Sequence, residues 1–180
     1  MIKHPDQRVG VFIDVQNLYY SAKNLYEAKV NFGEIVKEGL AGRKLIRAIA
    51  YVVKTTSGEE KPFFAALTNL GIETKEKDLQ IFFGGAKKAD WDVGIAIDAV
   101  RLSQSLDAII LVSGDGDFIP LVEYLQNQGK QVEVMAFKET TSSKLIEEVD
   151  GYTDLSADKK RFLIMDRVPE KKRPFKNFKK

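Results

Sequence analysis

Short, continuous apolar runs alternate along the chain with segments whose apolar residues recur at helical spacing. VGVFID (9–14), KLIRAIAYVV (44–53), DAIILVS (107–113) and QVEVMAF (131–137) are rich in β-branched residues and read as buried strands. IETKEKDLQIFF (72–83) alternates in part and reads as a strand or an irregular extended segment, and YTDL (152–155) as a last small strand. Between them, 17–28, 31–42, 62–70, 91–104, 118–128 and 142–149 read as helices. Gly42, Gly71 and Gly129 serve as stop signals, Pro62 sits in a first helical turn, and a serine caps the last helix. Strands that alternate with helices, and are apolar throughout, predict an α/β fold: a mainly parallel sheet covered on both faces.

A chain of 180 residues with 44% apolar and 30% charged residues suits one globular domain with a sizeable core. We place that domain at residues 1–156 and a flexible basic tail at 157–180. No internal repeat is present. Cysteine is absent, which excludes disulfides, thiolate metal sites and cysteine nucleophiles. The N-terminus MIKHPDQR lacks the apolar stretch of a signal peptide, and no run is long enough to span a membrane, so a cytoplasmic location is expected. A net charge of +2 conceals an uneven distribution: residues 159–180 hold ten Lys or Arg against two acids, a net +8, leaving −6 on residues 1–158. That division suits either nucleic-acid contact or a tail that only solubilises the chain or pairs with its acidic body.

The acids decide the candidate chemistry. Asp14 ends the first strand, and Asp115 and Asp117 follow the strand DAIILVS in LVSGDGDFIPL (111–121). In a parallel sheet all three fall on the carboxyl edge, where α/β folds bind ligands. On helix 91–104, Val93, Ile95, Ala96, Ala99 and Val100 define the expected inward face, and Asp92 lies within it at the first turn. Asp98 falls on a polar flank with Gly94 and Arg101 and reads as a surface or paired residue. Asp14, Asp92, Asp115 and Asp117, with Asn17 and Ser113 nearby, form an oxygen-rich set without sulfur or imidazole, which favours Mg²⁺ or Mn²⁺. His4, the single histidine, receives no role. Any one of these aspartates by itself reads more simply as a helix cap or turn former. Asp-Gly-Asp fails as an EF-hand because Ile119 and Gln126 stand where ligands are required. No P-loop, dinucleotide fingerprint or serine elbow occurs. The helix beginning at Phe118 directs its positive end at the acidic loop, and Lys88 stands within reach of a phosphate. Tyr19, Tyr20, Phe63, Phe64, Phe82, Phe83 and Trp91 could offer stacking surfaces to bases, but most lie within or beside apolar segments and read as core.

FIDVQNLYY (12–20), KKADWDVGIAIDAV (87–100) and LVSGDGDFIPLVEYLQNQGKQVEVMAF (111–137) resemble the three signature blocks of the NYN domain in its LabA-like branch, within the PIN-like nuclease superfamily. The resemblance runs from about residue 9 to 155. It implies a Rossmann-like, PIN-like three-layer sandwich with a divalent metal at the carboxyl edge. It places metal-binding and catalytic roles on Asp14, Asp92, Asp115 and Asp117, and roles in orienting ligands or substrate on Asn17 and Ser113. It adds Asp98 as a second-tier site residue. The block before Asp92 has one residue more between lysine and aspartate than the common form, which bears on Lys88. The expected activity is a Mg²⁺- or Mn²⁺-dependent ribonuclease acting on single-stranded or structured RNA. The alternatives are a non-catalytic regulator binding RNA or protein, and a phosphatase or nucleotidase acting on small substrates. A homodimer is the default assembly.

Overall fold

The computed structural model describes residues 2–54, 60–81, 87–88 and 90–165, with only the backbone of 80–81 and 87–88. Six strands build the central sheet: β1 (Arg8–Asp14), β2 (Lys44–Lys54), β3 (Glu73–Asp78), β4 (Ala108–Val112), β5 (Gln131–Ala136) and β6 (Gly151–Asp154). Every pairing among them is parallel, in the order β3-β2-β1-β4-β5-β6. This is the strand order of doubly wound folds. The three central strands show why continuous apolar runs signal a buried parallel sheet. Each places alternate side chains into one of two separate cores, so neither face tolerates a polar stripe.

The helices α1 (Val15–Tyr26), α2 (Phe32–Leu40) and α3 (Lys61–Asn69) belong to one face; α4 (Asp92–Ser103), α5 (Ile119–Asn127) and α6 (Ser143–Glu148) cover the other. Val11, Ile13, Ala50, Ile110 and Val112 face the first layer, whereas Phe12, Ile49, Tyr51, Ile109 and Leu111 face the second. Burying each large side chain of this kind contributes about 1.5–3 kcal/mol. Gly39 lets α2 approach the sheet closely, because a Cβ there would lie 2.9 Å from Met135 Sδ and 3.0 Å from Ile110 Cδ1.

Several expectations change in detail. The first helix starts at Val15, not residue 17, because Asp14 itself is the N-cap: its Oδ1 accepts from the Asn17 backbone N–H at 3.1 Å. The extended stretch expected over 72–83 is shorter and more polar as a strand: β3 stops at Asp78, none of its residues is buried, and Gln80–Ile81 pairs antiparallel with Lys87–Lys88. Lysines and glutamates along this edge discourage further strand addition. Ser142 precedes α6 but makes no side-chain cap.

The C-terminal segment differs more. Residues 157–165, assigned from sequence to a flexible tail, are folded against the body. A short helix α7 (Lys159–Phe162) leads into Leu163–Ile164, which pairs antiparallel with Lys29–Val30. Phe162 and Leu163 are buried, and Arg161 binds Glu34 at 2.8 Å and Glu38 at 2.6 Å on α2. A basic triplet directly before a short apolar one concealed this: KKRFLI reads as charge in sequence, but its phenylalanine and leucine complete the first core. The remainder of the basic tail, 166–180, lies outside the described residues. Among the described residues, no helix is long and apolar enough to cross a membrane.

Candidate metal centre

The order of strands reverses between β1 and β4: from β1 the chain builds outward through β2 and β3, then returns to lay β4 on the other side of β1. The carboxyl ends of β1 and β4 therefore form the crevice that such sheets use for ligands. Asp14 is the last residue of β1, and the Ser113–Asp117 loop leaves β4 beside it. Asp14 is 8% exposed and its two oxygens are held separately. Oδ1 accepts from the Asn17 N–H, and Oδ2 accepts from the fully buried Ser113 hydroxyl at 3.2 Å. The same Ser113 oxygen accepts from the Asp115 N–H at 3.3 Å, and Asn17 Oδ1 accepts from the Gly114 N–H at 3.0 Å. Asn17 and Ser113 thus hold the acidic loop and the Asp14 carboxylate in one frame.

Asp115 caps the turn Gly116–Phe118, its Oδ1 accepting from the Asp117 N–H at 2.9 Å. Asp92 opens α4, and Trp91 anchors that end: its Nε1 donates to the Val52 carbonyl at 2.9 Å and its ring meets Tyr51 edge-on at 5.3 Å between centroids. Asp92 and Asp117 together line the head of an open groove of about 490 Å³ between α4 and α5. Burial pushes the Asp14 carboxyl up to about 6; the Asn17 N–H and Ser113 hydroxyl oppose the rise, while the negative charges of Asp92 and Asp115 add to it. Like charges gathered around a buried carboxylate favour either its protonation or a counter-cation.

Helical phase placed Asp92 well and Val93 badly. Val93 is 70% exposed, because the inward face of α4 centres on Ile95 and Ala99, in line with Asp92 three and seven residues earlier. Asp98 lies further down α4, outside the carboxylate group, where its Oδ2 accepts from the Tyr51 hydroxyl at 2.8 Å and from Lys75 Nζ at 2.6 Å. Burial opposes its ionisation, but those two donors prevail and hold its pKa below the usual value. The Lys88 side chain lies outside the described residues. Sequence reasoning missed the buttress behind the acidic loop. Ser142 donates its N–H to the Gly114 carbonyl at 3.0 Å, Thr140 binds Ser21, and a Cβ on Gly114 would lie within 3.0 Å of the Thr140 carbonyl and Thr141. Its only sequence signal was the polar run KETTSS, indistinguishable from an ordinary turn.

A model of the NYN domain matches residues 8–156, a span that includes all four candidate acids. The chain belongs to the NYN domain family. It is 26% identical over 178 residues to the low amplitude and bright protein LabA of Synechococcus elongatus, covering 91% of each protein. It also superposes on the crystal structure of a protein of unknown function from Vibrio parahaemolyticus with a TM-score of 0.81 at 31% identity, covering 91% of this chain and all of the other. As a LabA-like NYN protein it carries a PIN-like fold, and this family sits within the PIN-like nuclease superfamily. NYN domains in general bind RNA and use divalent metals.

In this NYN domain, no three acids among the described residues converge closely enough to ligate an ion as they stand. The donor set nonetheless fits a hard divalent cation: it is all carboxylate and hydroxyl oxygen, and its buried member already experiences two neighbouring negative charges.

Proposed function

We propose that this NYN domain is a Mg²⁺- or Mn²⁺-dependent ribonuclease that hydrolyses RNA phosphodiester bonds. One observation carries the reading: Asp14 and the Asp115–Asp117 loop meet at the strand-order reversal, and the Asp92 charge reaches the same buried carboxylate. Asp14, Asp92, Asp115 and Asp117 would hold the cation. When bound, the ion supplies activation of the attacking water and stabilisation of the leaving oxygen. The chain's own contribution is placement. Ser113 and Asn17 fix the Asp14 carboxylate and the backbone of the acidic loop, and the Trp91 anchor sets where Asp92 enters. The segment 166–180, with seven Lys or Arg against two acids, would add sequence-independent phosphate affinity.

A second reading, a regulatory RNA- or protein-binding domain without turnover, draws support from the spacing of the acids, no three of which converge among the described residues. Cleavage of end-labelled RNA in Mn²⁺, Mg²⁺ and EDTA separates the two, run beside Asp14→Asn and Asp115→Asn. The nuclease reading expects metal-dependent cutting that both substitutions abolish. No cutting by the native chain, with cation binding retained in calorimetry, supports the regulatory reading. Turnover of a mononucleotide alone marks a small-substrate phosphatase.

A further inference from the structure

Among the seven aromatic residues with core or stacking readings in sequence, the structure separates two. Phe63 and Phe64 pack against the first core, and Trp91 holds Tyr51; Phe82 and Phe83 lie outside the described residues. Tyr19 and Tyr20 are instead 46% and 54% exposed. They are consecutive on α1, their rings edge-to-face at 5.4 Å between centroids and 73° between planes. Lys23 Nζ lies 5.5 Å from the Tyr19 ring centre and 3.5 Å from its hydroxyl.

Their position connects them to the candidate metal centre. α1 begins directly after Asp14, and Asn17 ties its first turn to the acidic loop. Tyr20 follows Asn17 by three residues, close to one helical turn, and Tyr19 and Lys23 continue the exposed face. The helix contains no acidic residue, although residues 1–158 carry a net −6. Folding does not require this arrangement: both residues leave about half of their surface in water, and a polar residue would serve the outer face of α1 equally well. Tyrosine has few rotatable bonds and a flat apolar face, so it binds a planar partner at small entropic cost. A cation beside the rings suits a partner that is also a polyanion.

Resting on the ribonuclease reading, we infer that Tyr19 and Tyr20, flanked by Lys23, form a stacking subsite for unpaired bases of single-stranded RNA leading to the carboxylate site. Because the rings lie 73° apart, they present faces in different directions, and each receives a separate base. A base-paired duplex offers such rings no free base face, so the subsite selects unpaired segments.

The test is fluorescence anisotropy with the full chain in EDTA, using a short labelled oligoribonucleotide free of hairpins and the same strand annealed to its complement. The combined Tyr19→Ala and Tyr20→Ala variant should bind the single strand about ten-fold more weakly or worse, the scale of base–aromatic stacking. Duplex binding and the melting temperature should stay unchanged, and the combined Tyr→Phe variant should retain native affinity because it keeps both rings. Native affinity in the alanine variant overturns the inference, as does equal loss in the phenylalanine variant, which would assign the effect to the hydroxyls. Absence of single-strand binding by the native chain also overturns it. A shift from dimer to monomer on alanine substitution would reassign the rings to a contact between copies. Ring-dependent binding without cleavage would remove the ribonuclease reading alone; metal-dependent cleavage indifferent to the rings would remove the stacking subsite alone.

Discussion

Replacing Asp14 with asparagine should stabilise the metal-free protein at neutral pH while removing its response to metal. The Asp14 carboxyl rises from 3.8 to about 6 on folding, chiefly through burial. A raised carboxyl pKa means that the folded state retains its proton longer than the unfolded chain. Stability associated with that proton is intact below about pH 4, falls as pH climbs, and is fully lost above about pH 6. At 1.36 kcal/mol per pKa unit, the ionised carboxylate costs the fold about 3 kcal/mol at pH 7.5. Asparagine keeps the shape and still accepts from the Asn17 N–H, but its amide would face the Ser113 hydroxyl, already an acceptor for Asp115 N–H. That rearrangement costs about 1 kcal/mol. A net gain of about 2 kcal/mol should raise the melting temperature by about 4–8 °C for a chain of this size. The assay is thermal unfolding in EDTA at pH 7.5 and at pH 4, where the electrostatic gain is gone, only the amide's cost of about 1 kcal/mol remains and the variant should melt about 2–4 °C below the native chain, and then with Mn²⁺. Saturating cation at a hundred times its Kd should stabilise the native chain by about 2.7 kcal/mol and the variant far less. A lower melting temperature for Asp14→Asn in EDTA at pH 7.5 would refute the electrostatic argument. Equal stabilisation of both proteins by Mn²⁺ would refute Asp14 as a ligand.

Gly114→Ala should abolish metal-dependent activity with a modest change in stability, because its Cβ would collide with the Thr140–Thr141 backbone and displace the acidic loop; cleavage and calorimetry compared with the native chain check this. Glu133→Gln should cost about 3–5 kcal/mol in urea unfolding without changing cation binding, since it leaves the buried Arg43 guanidinium without its carboxylate at 2.5 Å. Deleting 166–180 should weaken RNA binding and flatten its salt dependence at an unchanged melting temperature. Ending the chain at 158 instead should also destabilise the fold, by about 3 kcal/mol or more, through loss of buried Phe162 and Leu163. Salt titrations of affinity and thermal melts distinguish these two truncations.

Much of this protein was legible in one dimension because periodicity is a local consequence of burial. Apolar runs such as AIILV can occur only where both faces of a strand are covered, so the parallel sheet and the carboxyl-edge position of Asp14, Asp115 and Asp117 follow from their order along the chain. Helical phase likewise turned Asp92 inward. The same reasoning misplaced Val93, since only the narrow stripe through Ile95 and Ala99 meets the sheet and Val93 lies off it.

What only tertiary structure decided was proximity between residues distant in sequence. No pattern shows that β1 and β4 are neighbours, that the Ser113 hydroxyl bonds the Asp14 carboxylate, or that Asp98 is taken by Tyr51 and Lys75. The buttress at Thr140–Ser142 and the folding of KKRFLI onto α2 were hidden for the same reason: polar and basic residues reveal their partners only when a distant segment arrives. Sequence determined which residues could carry the chemistry, because side-chain type and period are set locally. The fold determined which of them meet, because a parallel sheet joins neighbouring strands through long crossovers whose endpoints are chosen by packing.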